Sequence, residues 1–215
     1  MAGLLTDDMG DLLERNGVVW IVREQLAAAL MTPPPPPLGV LTHATLLEAI
    51  HQHMDVLPVR YGIEMPDEEA IRDFLQQRRF DLSDDLIRLR GSGEIGLRIQ
   101  LPPSPASAPA EDLPGAASPS VSVGQYLALR RRQYQRKDHL QAQTQRIAEQ
   151  CAQGLSGLYR QQRRLASGRS DVLRLAFLVE RCRWQACRER CGPLLEKLTG
   201  LQYNLLGPWP PYSFV

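Results

Sequence analysis

The four cysteines are the residues with most potential for chemistry in this sequence, because thiolates bind metals and act as nucleophiles. Three follow the spacing Cys182-x4-Cys187-x3-Cys191, and the fourth is Cys151. Zinc sites usually take two pairs of ligands, each pair spaced about two to four residues apart. Only Cys187 and Cys191 form such a pair, and no histidine lies near them in the sequence. The pattern predicts reduced, buried thiols that pack as small hydrophobic side chains, with no metal and no cofactor.

Histidines and glycines show no spacing typical of an active site. The four histidines have no companion serine, cysteine or aspartate in a triad-like pattern, and HExxH is absent. The glycines form neither GxGxxG nor GxxxxGK(S/T), the loops that bind phosphate groups. The sequence therefore predicts no catalytic residue and a protein that is not an enzyme. A thiol-dependent enzyme acting through Cys187 is the weakest alternative.

The run RRRQYQRK at residues 130–137 is the segment best suited to contact nucleic acid. Arg130, Arg131 and Arg132 can neutralise phosphates, and Tyr134 can stack on a base. The same residues suit a solvent-exposed helix face, or a face that docks onto an acidic surface. We favour docking or plain exposure, with the three arginines as candidate interaction residues.

Charge is distributed unevenly along the chain. Residues 1–122 contain 9 basic and 18 acidic side chains, whereas residues 123–215 contain 16 basic and 6 acidic ones, although the formal net charge is only +1. Of the basic side chains only Lys137 and Lys197 are lysines, and arginine suits partly buried ion pairs better. This asymmetry predicts contacts between the acidic and basic parts, within one molecule or between copies.

Length and composition are those of an ordinary globular protein. The 215 residues suffice for one large domain or two small ones, with 43% hydrophobic and 23% charged residues. No run of about eighteen apolar residues is present, and the acidic N-terminus lacks the basic start of a signal peptide. We expect a cytoplasmic protein that does not contact a membrane.

The C-terminal segment GPWPPYSFV, residues 207–215, is unusually apolar for a chain end. Its aromatic residues Trp209, Tyr212 and Phe214 can each bury a large area, and its three prolines reduce the entropy lost on ordering. We predict an extended segment that packs into a groove on its own chain, between the domains, and fixes their orientation. The alternative is a free tail that recognises a partner.

The N-terminal part predicts short elements. VVWIV (18–22) is typical of a buried strand, and residues 42–54 of a helix with Thr42 as N-cap. The proline run 33–37 predicts extended polyproline II. VLPVRYG (56–62) is β-prone, but its proline restricts it to a sheet edge or a strand end.

Two helices are predicted next, over residues 66–80 and 81–91. Acids in the first turn and arginines in the last turn of 66–80 complement the helix dipole. Arg60 is the only basic residue between Arg23 and Arg72. We predict that Arg60 binds a carboxylate across the edge of the first domain's sheet, and it is a further candidate interaction residue.

The C-terminal part alternates strands and helices. Strands are predicted at 94–101, 172–179 and 201–206, the second central, and helices after Ser122, where Ser122 and Gln125 form a capping box, and over 184–198. Residues 158–166 fit either a helix end or a polar edge strand. Read as a strand, they give the order βαββαβ of a ferredoxin-like unit, interrupted by a flexible Pro/Ala-rich segment at 102–121. We predict an α+β protein with two domains, a small α+β domain at 1–92 and a ferredoxin-like domain at 93–215 that includes the tail.

The order of five segments resembles the gas vesicle protein F/L family (GvpL/GvpF). These segments are VLPVRYG, EIGLRI, YLALRRR, LAFLVER and the terminal LLGPWPPYSFV. The resemblance extends over residues 42–215, and the terminal motif is its most specific part.

The resemblance implies an accessory protein of gas vesicle assembly. Such a protein attends the small, very apolar shell protein and helps to nucleate the vesicle, and it has two α+β domains, the second a modified ferredoxin-like fold. The implied partners are the shell protein and other accessory proteins, with self-association possible. The alternative function, from a different class, is a ferredoxin-like nucleic-acid-binding protein that uses residues 130–137.

Overall fold

The computed structural model describes residues 7–32, 34–101, 123–169, 171–197 and 201–215. The elements, in chain order, are α1 Asp7–Arg15, β1 Val19–Arg23, β2 Leu26–Leu30, α2 Leu38–His53, α3 Glu68–Gln77, α4 Arg79–Leu89, β3 Ser92–Gln100, α5 Val123–Gly154, β4 Gln161–Leu165, β5 Val172–Glu180, α6 Trp184–Glu196 and β6 Gln202–Trp209. The protein is thus of mixed α+β class. Strands β1 and β2 form an antiparallel pair, and the other four form a sheet of order β4-β5-β3-β6.

Packing divides the chain into two compact units. Unit 1 contains residues 1–95, 178–182 and 207–215, and unit 2 contains residues 96–177 and 183–206. The C-terminal tail therefore belongs to the same unit as the N-terminal elements. The domain limits 1–92 and 93–215 stay a prediction.

The predicted strand at 18–22 exists as β1, but it is mostly exposed. Only Ile21 of β1 is buried, with Leu26 of β2, against Ile71 and Leu75 of α3. A hairpin covered on one side buries one face alone, because successive side chains point to opposite faces. The partner β2, LAAAL, was not predicted, since alanine and leucine favour helices.

Helix α2 begins earlier than predicted. It starts at Leu38, and the Thr42 hydroxyl donates to the Leu38 carbonyl oxygen at 3.0 Å, so Thr42 is not the N-cap. The N-cap is Pro37, with φ −84° and ψ −10°, and residues 35–37 form a bend and turn. The polyproline II prediction is therefore wrong for these residues. Proline is tolerated at a helix start because the first N–H groups have no partner inside the helix.

The acidic helix prediction is confirmed by α3. The Asp67 carboxylate caps it by accepting the Ala70 N–H at 2.8 Å, and α4 follows after Arg78. Residues 56–62 form a loop rather than a strand. Arg60 is exposed there, and the ion pairs of the described residues do not include it. The predicted anchor across a sheet edge is therefore wrong.

An arginine after β5 holds the C-terminal end of α2. The Arg181 guanidinium donates to the carbonyl oxygens of His51 at 2.6 Å and Met54 at 3.2 Å, and it lies 3.6 Å from the Asp55 carboxylate. That carboxylate also accepts the Gly91 N–H at 2.7 Å. A cation at the last carbonyls of a helix opposes the negative end of its dipole. The C-terminal end of α2 is thus linked to Arg181 and Gly91 by a partly buried polar cluster.

The predicted strands of the larger sheet are present. In β3, Ile95, Leu97 and Ile99 are buried on one face as the alternation predicts. β5 is interior in the sheet, and residues 161–165 form the edge strand β4, which decides the ambiguity of 158–166. Tyr203 of β6 is exposed.

Helices α5 and α6 complete unit 2. The C-terminal half of α5 buries a stripe at steps of three or four residues: Leu140, Thr144, Ile147 and Cys151, followed by Leu155 just after the helix. The capping box at Ser122 and the Pro/Ala-rich segment 102–121 lie outside the described residues. Helix α6 continues through Pro193 to Glu196.

The cysteines are free thiols, three of them buried. Cys151, Cys187 and Cys191 are buried and Cys182 is exposed, so the packing prediction is wrong only for Cys182. Burial raises the pKa of Cys151 to about 11. A fully buried Cys187 does not fit an accessible nucleophile.

The buried imidazole in the cluster at the end of α2 makes stability depend on pH. His51 is 3% exposed, and burial together with the Arg181 charge lowers its pKa to about 4, while Asp55 acts in the opposite direction. The unfolded chain, with a pKa near 6.5, binds the proton first. Stability is therefore complete above about pH 6.5 and falls by about 2–3 kcal/mol as the pH drops towards 4.

We expect His51→Leu to remove most of this pH dependence between about pH 6.5 and 4.5, measured by urea unfolding at each pH. His53→Leu is the matched control, because His53 lies on the same helix but is exposed. An unchanged slope in His51→Leu would show that other groups cause the pH dependence.

Candidate functional site at the C-terminal tail

The tail, residues 207–215, begins within β6 at a position that requires glycine. Gly207 has φ +98°, a conformation rarely adopted by residues with a Cβ. A Cβ added to Gly207 would lie 2.5 Å from the carbonyl oxygen of Glu94 on β3. The first residue of the GPWPPYSFV segment is thus fixed by the close approach of two backbones.

The tail is packed by its prolines and its last aromatic ring. Pro210, Pro211 and Phe214 are buried, and Phe214 is 0% exposed. The backbone turns tightly, since the Tyr212 N–H donates to the Pro210 carbonyl at 2.7 Å and the Phe214 N–H to the Pro211 carbonyl at 3.0 Å. The segment is therefore held by unit 1 of its own chain.

A buried carboxylate fixes the position of Ser213. Glu94 Oε2 accepts the Ser213 N–H at 2.8 Å, and Glu94 Oε1 accepts the Ser213 hydroxyl at 2.7 Å. Glu94 is buried. A buried carboxylate is costly unless hydrogen bonds satisfy its oxygens, so this pair links β3 and the tail strongly.

A second polar contact lies one residue further along. The Arg88 guanidinium donates to the Phe214 carbonyl oxygen at 2.8 Å and forms an ion pair with Asp85 at 2.5 Å. Arg88 and Asp85 both belong to α4. The tail is thus bound by one residue of β3 and one residue of α4, with Phe214 buried between its polar contacts.

Three apolar side chains of the tail remain exposed beside these contacts: Trp209, Tyr212 and Val215. Partial burial raises the pKa of Tyr212, and the nearby Glu48 carboxylate of α2 raises it further. Of the candidate interaction residues, Phe214 therefore serves to attach the tail, whereas Trp209 and Tyr212 are presented at the surface.

The beginning of α2 and the loop at 54–67 add more exposed apolar side chains. Tyr61 of the loop donates to the Pro34 carbonyl at 3.3 Å, and its ring meets His43 of α2 edge-on at 5.8 Å. A Cβ at Gly39 would collide with the Pro34 carbonyl and the Tyr61 hydroxyl. The exposed apolar side chains on either side of this contact are Leu38, Val40, Leu41, Val59, Ile63 and Met65.

The arginines predicted as interaction residues belong to α5 and to the loop at 54–67. Arg130, Arg131 and Arg132 are exposed on α5, and Arg60 is exposed in the loop at 54–67. The Arg130 guanidinium lies 5.6 Å from the ring centre of Tyr126 and donates to its hydroxyl at 3.1 Å. The candidate interaction residues are therefore divided between unit 1, which contains Arg60 and the tail, and unit 2, which contains the other three arginines.

The described residues provide little for a small ligand or a metal. Among them, no group of three or more histidine, cysteine, aspartate or glutamate side chains is placed to hold a metal ion. Two shallow clefts have volumes of about 260 and 230 Å³. Pockets for small molecules usually measure about 300–1,000 Å³, so a protein surface is the better candidate site.

Comparison with known proteins identifies the family. The family model described as "Gas vesicle synthesis protein GvpL/GvpF" matches residues 6–215. This chain belongs to the GvpL/GvpF family. A curated "Gas vesicle protein L" from Streptomyces sp. (strain CB03234) is 30% identical over 181 residues, which is 80% of this chain and 66% of that relative, slightly less than two thirds of its length.

Two solved structures have the same fold. The crystal structure of GvpF from Anabaena sp. PCC7120 matches with a TM-score of 0.70 at 17% identity, over 92% of this chain and 84% of that chain. GvpF from Microcystis aeruginosa matches with a TM-score of 0.72 at 12% identity, over 92% and 88%. Within the described residues, no helix has the length and apolar composition needed to cross a bilayer.

The sequence of this GvpL/GvpF family member indicates the tail as a candidate site, but it does not indicate the residues that bind the tail. Glu94 lies 119 positions from Ser213, and Arg88 lies 126 positions from Phe214. A glutamate at the start of an apolar strand is the only local signal, since such a residue, if buried, needs a partner.

We expect Phe214→Ala to lower the free energy of unfolding by about 3–5 kcal/mol, because it removes a fully buried aromatic ring. Val215→Ala, the control at the neighbouring position, is 53% exposed and should change stability by less than about 0.5 kcal/mol. Urea unfolding of the full chain measures both. Equal stability of the two variants would show that Phe214 does not hold the tail.

A double-mutant cycle tests the polar contact. Glu94→Ala and Ser213→Ala should show a coupling energy of about 1–2 kcal/mol, the value of a hydrogen bond to a charged group once the Ser213 hydroxyl is removed. The same cycle between Glu94 and Tyr212, whose side chain is exposed, is the control and should give additive effects. Additivity in the first cycle would contradict the proposed role of Glu94.

Proposed function

We propose that this protein is an accessory protein of gas vesicle assembly that binds the apolar shell protein through an exposed apolar surface of unit 1. Fourteen of the nineteen large hydrophobic side chains exposed in the described structure belong to unit 1. That concentration is the observation that supports the proposal. Clusters of exposed apolar side chains on a folded protein usually indicate an interaction site.

The apolar docking surface we propose consists of Leu38, Val40, Leu41, Val59, Ile63 and Met65, together with Trp209 and Tyr212 of the tail. Helix α2 connects the two groups, because its first turns contact the loop through His43 and Tyr61, while its Glu48 lies near Tyr212. Aromatic residues and methionine are enriched in protein interfaces. An apolar subunit gains most from such a surface, since burial removes apolar area from water on both sides.

Attachment of the tail prepares this surface for binding. A free aromatic tail would lose conformational entropy on binding a partner. Here the contacts of Phe214, Ser213 and Gly207 have already ordered the segment, so Trp209 and Tyr212 are presented on a fixed backbone. The role supported by this geometry is binding, and we propose no catalytic step.

The finer fold assignment also belongs to the proposal. From β3 onwards the chain runs βαββαβ, and the sheet order places β3 and β5 inside and β4 and β6 at the edges. We infer a ferredoxin-like domain there, preceded by a small α+β domain. The proposed partners are the shell protein and other gas vesicle proteins, with the gas vesicle as the location.

Capture of the shell protein by the full chain tests the function. We expect Leu41→Gln/Ile63→Gln to weaken capture by about tenfold, since these side chains are 64% and 65% exposed and lie two residues from the His43–Tyr61 contact. The melting temperature should not change, because neither side chain is buried. In cells that lack the protein, this variant should also restore fewer gas vesicles than the unmodified chain.

Val19→Gln/Val22→Gln is the matched control, with two exposed apolar side chains of the same unit on β1. It should capture the shell protein as well as the unmodified chain. Equal capture by all three proteins would exclude the proposed docking surface, and absence of capture by the unmodified chain would exclude shell-protein binding itself.

A further inference from the structure

Among the residues that the structure describes, none packs against the first half of α5. From Tyr126 to His139, every side chain that the structure describes is exposed, whereas the second half of the helix buries its stripe in unit 2. An isolated helix of this length is marginal in water, because most helix stability in proteins comes from tertiary packing. A partner surface that packs against this half of α5 would therefore stabilise the helix.

One face of this half-helix has the composition of an interface. At about 100° per residue, an arc of about 140° contains Asp138 and six side chains typical of interfaces: Tyr126, Leu127, Arg130, Arg131, Tyr134 and Lys137. The Arg130 guanidinium donates to the Tyr126 hydroxyl at 3.1 Å, and Tyr126 and Tyr134 both raise the pKa of Arg130. Tyrosine and arginine are enriched at protein interfaces. We call these six residues the basic face.

A surface of complementary charge lies in unit 1. Helix α3 and the residues before it expose five acidic side chains: Glu64, Asp67, Glu68, Glu69 and Asp73. Exposed apolar side chains stand among them: Ile63, Met65 and Phe74. Within the chain, Arg72 pairs with Glu68 at 3.2 Å, while Glu69 and Asp73 lie one helical turn apart on the same side of α3. We call the five acids the acidic face.

We propose that the basic face of one copy binds the acidic face of a second copy. Both faces are exposed in the single chain, so both are open to a partner. Because the two surfaces differ, the contact is heterologous: the first copy keeps its acidic face unused, and the second copy keeps its basic face unused. Such head-to-tail contacts form rings or open chains rather than closed dimers.

A second copy fits these observations better than nucleic acid. The chain carries a net charge of only +1, so copies do not repel each other as a whole. A polyanion would be attracted to the basic face but repelled by the acidic part of the same chain. Leu127 and the exposed apolar side chains near α3 can also bury each other in this contact. A phosphate backbone has no apolar surface to cover them.

Charge reversal on each face tests the proposal with the full chain, treated with nuclease and followed by light scattering. The unmodified protein should associate at low salt and dissociate as salt rises from about 0.1 to 1 M, because the screening length falls from about 10 to 3 Å. Arg130→Glu/Arg131→Glu and Glu69→Lys/Asp73→Lys should each weaken association at least about tenfold.

An equimolar mixture of the two reversed proteins should regain association, because each then supplies the face that the other lacks. Arg190→Glu/Lys197→Glu is the matched control, with the same change in net charge on exposed residues of unit 2, and should associate like the unmodified chain. Melting curves confirm that all variants fold.

Three results would overturn the inference. The first is an unmodified chain that stays monomeric at low salt, and the second is a mixture that associates no better than its components. The third is an association that appears only on addition of single-stranded RNA and is lost in Arg130→Glu/Arg131→Glu alone, which would make the basic face a nucleic-acid site.

Discussion

The arrangement of unit 1 depends on one buried carboxylate. Glu94 lies near the start of β3, where it would be strongly destabilising without hydrogen-bond partners. The backbone N–H and hydroxyl of Ser213 satisfy both of its oxygens, and Gly207 approaches the carbonyl of the same residue. A single position of β3 thus contacts the tail both at Gly207, within β6, and at Ser213, near its end. Burial of Phe214 stabilises the docked tail through the hydrophobic effect, and the hydrogen bonds to Glu94 fix the position of the tail.

This constraint explains how an apolar chain end becomes a binding surface. The prolines limit the conformations available to the unfolded tail, so less entropy is lost when it docks. Once Phe214 is buried, Trp209 and Tyr212 cannot collapse onto the same cavity and remain exposed. The tail is therefore both a part of the fold and, in the proposed function, part of the surface offered to the shell protein. The two roles are divided between residues of one segment.

The sequence predicted those elements whose signals are local. Helix α3 has charges that complement its dipole, and β3 alternates strictly from Ile95 to Leu101, so both were identified correctly. Strand β2 was missed because LAAAL favours a helix by propensity, and only pairing with β1 makes it a strand. The contacts of Glu94 and Arg88 with the tail, and of Arg181 with α2, join residues far apart in sequence. No local sequence pattern indicates contacts between residues so far apart. Only the tail segment of the site could therefore be predicted, and not the residues that bind it.

The two proposed associations respond to different physical conditions, which makes them separable. Burial of apolar side chains at the docking surface is insensitive to moderate salt and is strengthened by strongly hydrated anions. Pairing of the basic and acidic faces is screened as salt rises. The chain also uses arginine for 23 of its 25 basic residues, and the forked, weakly hydrated guanidinium suits contacts that lose water on association. A protein with this composition can hold an apolar subunit on unit 1 while its number of associated copies varies with ionic strength. Ile63 and Met65 belong to the docking surface and also lie among the acidic side chains, so a copy bound at the acidic face would cover part of that docking surface.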